Sequence, residues 1–160
     1  MITRQIIAVG CALGLSITAA FAQVNFDGAP QDTDAPVGVT SDSLRVNQET
    51  NTAVFTGNVI LIQDDMRMTA QEVTVYYTED QSDIERVHAT GGVTLVTPTE
   101  AAEGQEAIYK PIDDNIVMTG SVLLTQDSST IAGDRLVYDL KEGSGVVSGR
   151  VRTLLNQGDN

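Results

Sequence analysis

Phe55-Thr56-Gly57-Asn58-Val59-Ile60-Leu61-Ile62-Gln63 reads as a β-strand interrupted by a glycine. Phe55, Val59 and Leu61 share one parity while Thr56 and Asn58 take the other, the two-residue period of an extended chain with one apolar face. The pattern recurs in Thr90-Gly91-Gly92-Val93, Thr119-Gly120-Ser121-Val122 and Ser148-Gly149-Arg150-Val151, with glycines 34, 29 and 29 residues apart. A second mark keeps step with it: Asp42-x-Leu44-x-Val46, Gln71-x-Val73-x-Val75, Gln105-x-Ala107-x-Tyr109 and Asp134-x-Leu136-x-Tyr138, spaced 29, 34 and 29. A unit of about 30 residues buries too little apolar surface to fold alone, so the units form one stack rather than separate domains.

Working outward, Ala89, Val93 and Leu95, then Met118, Val122 and Leu124, then Val147 and Val151 repeat the alternation of the first unit. No stretch beyond residue 22 carries a helical period; the nearest, Thr99 to Ala107, follows Pro98 and has too few apolar anchors. Polar turn chemistry bounds the strands at Asp64-Asp65, Glu79 to Asp83, Pro111 to Asn115, Asp127 to Ser129 and Lys141 to Ser144. The reading is an all-β fold of roughly a dozen or more short antiparallel strands. One face collects Leu44, Val46, Phe55, Val59, Leu61, Val73, Val75, Val93, Leu95, Tyr109, Met118, Val122, Leu124, Leu136 and Tyr138, and Met66, Met68 and Ile131 on connecting strands extend it. The chain has no Trp, so this interior is mostly aliphatic; it either packs solid or leaves an apolar groove. Gly57, Gly91, Gly120 and Gly149 fall where the apolar face should continue, which predicts bulges or close strand crossings there.

Residues 1–22 read as an address. Arg4 precedes an apolar run from Ile6 to Ala20, and Ala20-Phe21-Ala22 is a small-x-small pattern, so cleavage and export are expected with the cut between Ala22 and Gln23. Against an uncleaved anchor, the run is shorter than the roughly 20 residues of a spanning helix and contains Gly10, Gly14, Ser16 and Thr18. Gly10-Cys11 ends like a lipobox, but the apolar region before it falls short of the roughly 7 to 15 residues expected. Cys11 is the only cysteine, so if it leaves with the signal the exported part has neither thiol nor disulfide. Residues 23–38, rich in Asp, Gly and Pro without apolar period, are expected to be a flexible leader, residues 39–155 the folded domain and residues 156–160 a disordered tail.

Charge and composition narrow the function. The chain carries 9 Lys and Arg against 22 Asp and Glu, a formal charge of −13, and loss of Arg4 with the signal adds one negative unit. No window supplies the basic stripe that a nucleic-acid backbone requires. His88 is the only histidine and occupies the place of Val54, Val117 and Val146 in other units; nothing clusters with it to hold a metal or activate a nucleophile. Asp64-Asp65 and Asp113-Asp114 sit in turns, and Asp32-x-Asp34 lacks the rest of a calcium loop. No catalytic residue, cofactor or metal is expected. Two classes of function remain, a lipid carrier with an apolar groove and a structural β-repeat scaffold with a filled core.

Phe55 to Gln63, followed by Met68-Thr69-Ala70 and an alternating strand to Tyr76, closely resembles the start of the OstA-like domain of the LptA family of periplasmic lipopolysaccharide transport proteins. Glu103 to Tyr109, Met118 to Gln126 and Ile131 to Tyr138 are similar to that family's later strands, in order, and the resemblance covers about residues 39–155. It implies a periplasmic, twisted antiparallel β-jellyroll of about four repeat units, open at both ends. It further implies that the apolar face described above receives lipopolysaccharide acyl chains. Copies would stack head to tail between LptC at the inner membrane and LptD at the outer membrane. Docking edges are then expected around Val39, Leu44 and Val46 at one side and Val147, Val151 and Leu154 at the other. The same domain occurs in LptC and at the N-terminus of LptD; a retained anchor marks the former and a following barrel the latter, and neither is read here. The alternatives are an LptC-like component and a filled-core scaffold. Arg45, Arg67, Arg86, Arg135, Arg150 and Arg152 alternate out of the apolar parity, either as local bases for an anionic headgroup or as ordinary surface charge.

Overall fold

Gly57, Gly91, Gly120 and Gly149 all hold φ between +77° and +84°, and the residue after each, Asn58, Gly92, Ser121 and Arg150, is left-handed as well. Two left-handed residues in succession cannot continue a ladder, and the pairing register jumps across them, from Thr56 to Val59, Thr90 to Val93 and Thr119 to Val122. The bulges predicted at the repeat glycines are therefore present at those three. At Gly149 the same conformation separates two strands instead. The two sequence marks meet here. A Cβ on Gly57, Gly91, Gly120 or Gly149 would stand 2.5, 2.6, 2.7 or 2.5 Å from the side chain of Asp42, Gln71, Gln105 or Asp134 respectively. Each acidic or amide residue thus lies against the glycine of the neighbouring segment, a space no other residue leaves free.

The computed structural model describes residues 23–24 (as backbone only), 30–127 and 129–155; the expected signal segment and tail lie outside the described residues. In chain order the strands are β1 (Gln23–Val24), β2 (Gly38–Thr40), β3 (Ser43–Asn47), β4 (Thr52–Gln63), β5 (Met66–Tyr77), β6 (Ile84–Val96), β7 (Glu100–Lys110), β8 (Asn115–Gln126), β9 (Ser129–Asp139), β10 (Ser144–Ser148) and β11 (Arg152–Leu155). They form one antiparallel sheet in the order β1-β10-β9-β8-β7-β6-β5-β4-β2, with β3 also on β4 and β11 also on β9. A single 3-10 turn, Pro111–Asp113, links β7 to β8.

Because β4 to β9 pair with their bends in line, the sheet doubles over along that line into two halves. The first half holds β3, β10 and the parts of the long strands around Val75, Val87, Tyr109, Ile116 and Tyr138. The second holds β2, β11 and the parts around Leu61, Met68, Leu95, Ala102, Leu124 and Ile131. Inward side chains of both halves merge in one apolar cluster. Fully burying each Leu, Met or Val there contributes about 1.5–3 kcal/mol, the main gain offsetting chain entropy in a protein without disulfides among its described residues.

Two expectations need correction. Val147 is a core residue, 1% exposed, because the inward parity before Gly149 points it between the halves. Its strand β10 also has neighbours on both sides, β9 and β1, so Val147 does not present a docking edge. Nor do the leader residues 30–37 trail free. Gln31 is buried, and the backbone from Gln31 to Ala35 is hydrogen-bonded to turns of both halves. The composition that suggests a free leader fits equally a segment held by polar contacts, because Asp and Thr side chains and bare carbonyls make those contacts without an apolar period.

Candidate functional site

The side chains assigned to the apolar face are brought together, and most of them are packed. Val59, Leu61, Met66, Met68, Val73, Val75, Val93, Leu95, Tyr109, Met118, Val122, Leu124, Leu136 and Tyr138 are all 0–3% exposed, and Ile131 is buried beside them. A cleft between Leu95, Glu100, Leu124, Leu136 and Tyr138 holds about 10 Å³, scarcely room for a water. Ile116, Val87 and Leu140 share this core without standing on the sequence-predicted face, although their parity within β8, β6 and the end of β9 marks them as inward.

At the ends the interior opens. Leu44 and Val46 lie on the inward parity of β3 yet are 55% and 63% exposed, since no second strand covers them. With Ala53, half-buried Phe55 and Tyr77 they line a mainly apolar cavity of about 260 Å³. At the far end every residue of β11 is exposed, with Leu154 and Leu155 each at 72%. Among the described residues β2, β3 and β11 each pair with one strand only, so each has a free hydrogen-bonding edge. Val39 packs against the core from β2, and Val151 is exposed before β11.

Polar groups brace the two halves where their tips approach. Tyr109 of β7 donates its hydroxyl to Gln63 Oε1 of β4 at 2.6 Å, and burial pushes that hydroxyl's pKa up to about 12, partly offset by the Gln63 bond. Tyr138 of β9 faces Glu100 at the start of β7; burial raises the pKa of the Glu100 carboxyl, against the lowering effect of the Tyr138 hydroxyl. Gln63 lies on the inward parity two residues beyond Leu61, a signal legible in the sequence, whereas Glu100 shares the inward parity of Ala102 in β7 but reads, as a charged residue opening a strand, as exposed. On the outer face His88 meets Glu106 at 2.6 Å, and Arg86 stacks 4.0 Å from the Tyr76 ring centroid. Arg45, Arg67, Arg135, Arg150 and Arg152 are exposed. Among the described residues no group of acidic or histidine side chains could hold a metal.

A doubled antiparallel sheet with an apolar interior and uncovered edges at two ends defines an edge-open β-jellyroll. The sequence profile described as LptA/(LptD N-terminal domain) LPS transport protein matches residues 38–144, and the chain belongs to this family. It is 30% identical over 118 residues to the lipopolysaccharide export system protein LptA of Escherichia coli K12, covering 69% of this chain and 63% of that protein. Identity to the lipopolysaccharide export system protein LptH of Pseudomonas aeruginosa is 26%, over 77% of this chain and 74% of the relative. An uncharacterized protein of Rhizobium meliloti is 27% identical over 97% of this chain and 91% of its own length. The crystal structure of LptH, described as the LptA-homologous periplasmic component of the lipopolysaccharide transport device of P. aeruginosa, superposes with a TM-score of 0.72. That likeness covers 80% of this chain and all of the other at 19% identity, and it shows the shared fold. The chain is thus a lipopolysaccharide transport component by family.

Proposed function

We propose that the chain is a periplasmic, non-enzymatic carrier that takes lipopolysaccharide acyl chains into its apolar interior. It passes them along a head-to-tail stack of copies from LptC at the inner membrane to LptD at the outer membrane. The observation that carries this reading is the pair of uncovered apolar edges: β3 exposes Leu44 and Val46, β11 exposes Leu154 and Leu155, and they lie at opposite ends of one sheet. Such edges are an aggregation liability unless a partner strand covers them. Pairing β11 of one copy with β3 of the next continues the ladder and aligns one interior with the next. The contact joins unlike surfaces, so it propagates rather than closing. Each buried acyl methylene contributes about 0.8 kcal/mol, and a similar lining in successive copies leaves no deep trap along the path. Directed movement is then driven from outside the stack.

The packed interior favours a second reading, a filled-core scaffold that pairs end to end without holding lipid. Photo-crosslinking in cells separates the two. Probes at Phe55, Val59, Met118, Leu124 and Leu136 should label lipopolysaccharide while probes at Thr56, Asn58 and Ser121, on the opposite parity, should not. Equal labelling of both sets, or none from the interior set in correctly folded protein, favours the scaffold.

A further inference from the structure

Residues 30–37 run across the mouth between the two halves of the sheet. On the first half, the Gln31 N–H donates to the carbonyl of Leu140 at 3.0 Å, and the Thr33 hydroxyl donates to Asp114 Oδ1 in the turn after β7. On the second half, the Asp32 N–H reaches Asp64 Oδ2 at 3.2 Å. Gln63 ties all three parts together. Its Nε2 donates to the carbonyls of Thr33 at 2.8 Å and Ala35 at 2.9 Å, while its Oε1 accepts the Tyr109 hydroxyl at 2.6 Å. Both amide hydrogens of one buried side chain therefore hold the strap, and its oxygen holds the opposite half of the sheet. Of residues 30–37 only Val37 packs against the apolar cluster. A segment held by hydrogen bonds with so little apolar burial opens at low cost relative to the strands beneath it. Beside it a cavity of about 520 Å³ opens between the strap and Tyr77, Ile84 and exposed Ile112.

We propose that residues 30–37 are a lid over a lateral entry for acyl chains and that Gln63 is its latch; this rests on the carrier reading above. A lipid with a charged headgroup enters a packed apolar sheet sideways more readily than end on, because the headgroup then stays in water throughout. Lifting the strap frees both Gln63 amide hydrogens, and parting the Gln63–Tyr109 bond lets the halves separate between Gln63 and Ile84. The interior is filled when the lid is down, so loading and lid opening are one event.

The side chains of Thr33 and Asp114 touch, and from Gln23 onward the chain contains no cysteine, so Thr33→Cys with Asp114→Cys gives a lockable lid in a single protein. Loading rates are measured by stopped flow with a dansyl-labelled fatty acid and checked with purified lipopolysaccharide. The oxidised form should load at least tenfold more slowly than the reduced form, and Gln63→Ala, verified as folded by circular dichroism, should load faster than the wild type. Equal binding and equal rates in the oxidised and reduced forms overturn the lid and route the acyl chains through the sheet ends, leaving the carrier reading intact. Binding by neither form overturns the carrier reading and the lid together.

Discussion

The glycines of the repeat are the residues whose conformation has least freedom to vary. Gly120 holds φ +84°, and an added Cβ would meet Gln105 Cβ at 2.7 Å, whereas Gly92 holds φ +86° with nothing within 4 Å. Gly92→Ala should therefore cost only the backbone strain, about 1 kcal/mol, and Gly120→Ala that strain plus displacement of Gln105, about 2–3 kcal/mol in urea unfolding. Equal costs at the two sites would mean that the Gln105 contact contributes nothing to the bend. Glu100 makes the second residue-scale prediction. Burial raises its folded-state pKa above the ordinary 4.5, so the fold favours the protonated acid and loses stability as pH rises through the folded-state value. Glu100→Gln should then be more stable than the wild type at pH 7, and the difference should close as pH falls below 4.5. Measuring the urea midpoint at both pH values checks it, and a gap that persists in acid would trace to packing. The repeat glycines and their acidic or amide partners are legible in the sequence because a backbone constraint admits so few residue types. Glu100 is not, because its burial depends on where the doubled sheet brings the start of β7 against β9.

Strands β3 and β11 are alike in having a single partner among the described residues and no burial, and on the head-to-tail proposal they are the elements that assembly would use. Deleting residues 152–155 removes only the ladder from Arg152↔Ala132 to Leu155↔Ser129, while β10 keeps its pairing with β9. The shortened protein should fold with a loss of about 1–2 kcal/mol, since exposed apolar side chains contribute little, and it should run as a monomer at concentrations where the full chain self-associates. Analytical ultracentrifugation of both forms decides it, and undiminished association would move the contact away from β11. Strand identity, parity and turn positions are readable along the whole domain, because alternation and polar turns are local signals. The strap and the buried position of Val147 are not, because each depends on contacts between residues far apart in the chain. Gln63 reaches residues 28 and 30 positions before it, and no periodicity encodes that.

For the molecule as a whole, a sheet that fills itself and one that holds lipid respond differently to a cavity made inside it. Leu136 is fully buried in the apolar cluster, so Leu136→Ala should cost about 2–5 kcal/mol in the free protein, the sum of lost transfer energy and the void left behind. In a carrier, an acyl chain entering the wild type has to displace packed side chains, whereas in the variant it fills space already vacated. Lipopolysaccharide should then bind Leu136→Ala more tightly, and each tenfold gain in affinity adds about 1.4 kcal/mol to stability at saturating lipid. The lipid-induced rise in melting temperature should accordingly be larger for the variant than for the wild type. In a filled-core scaffold lipid touches only the edges, and Leu136→Ala should melt lower by the same amount with or without it. Thermal unfolding of both proteins across a lipopolysaccharide titration gives four curves and one comparison. A lipid-induced shift that is equal in the two proteins would exclude the interior as the acyl site, even if the chain associates with lipid elsewhere.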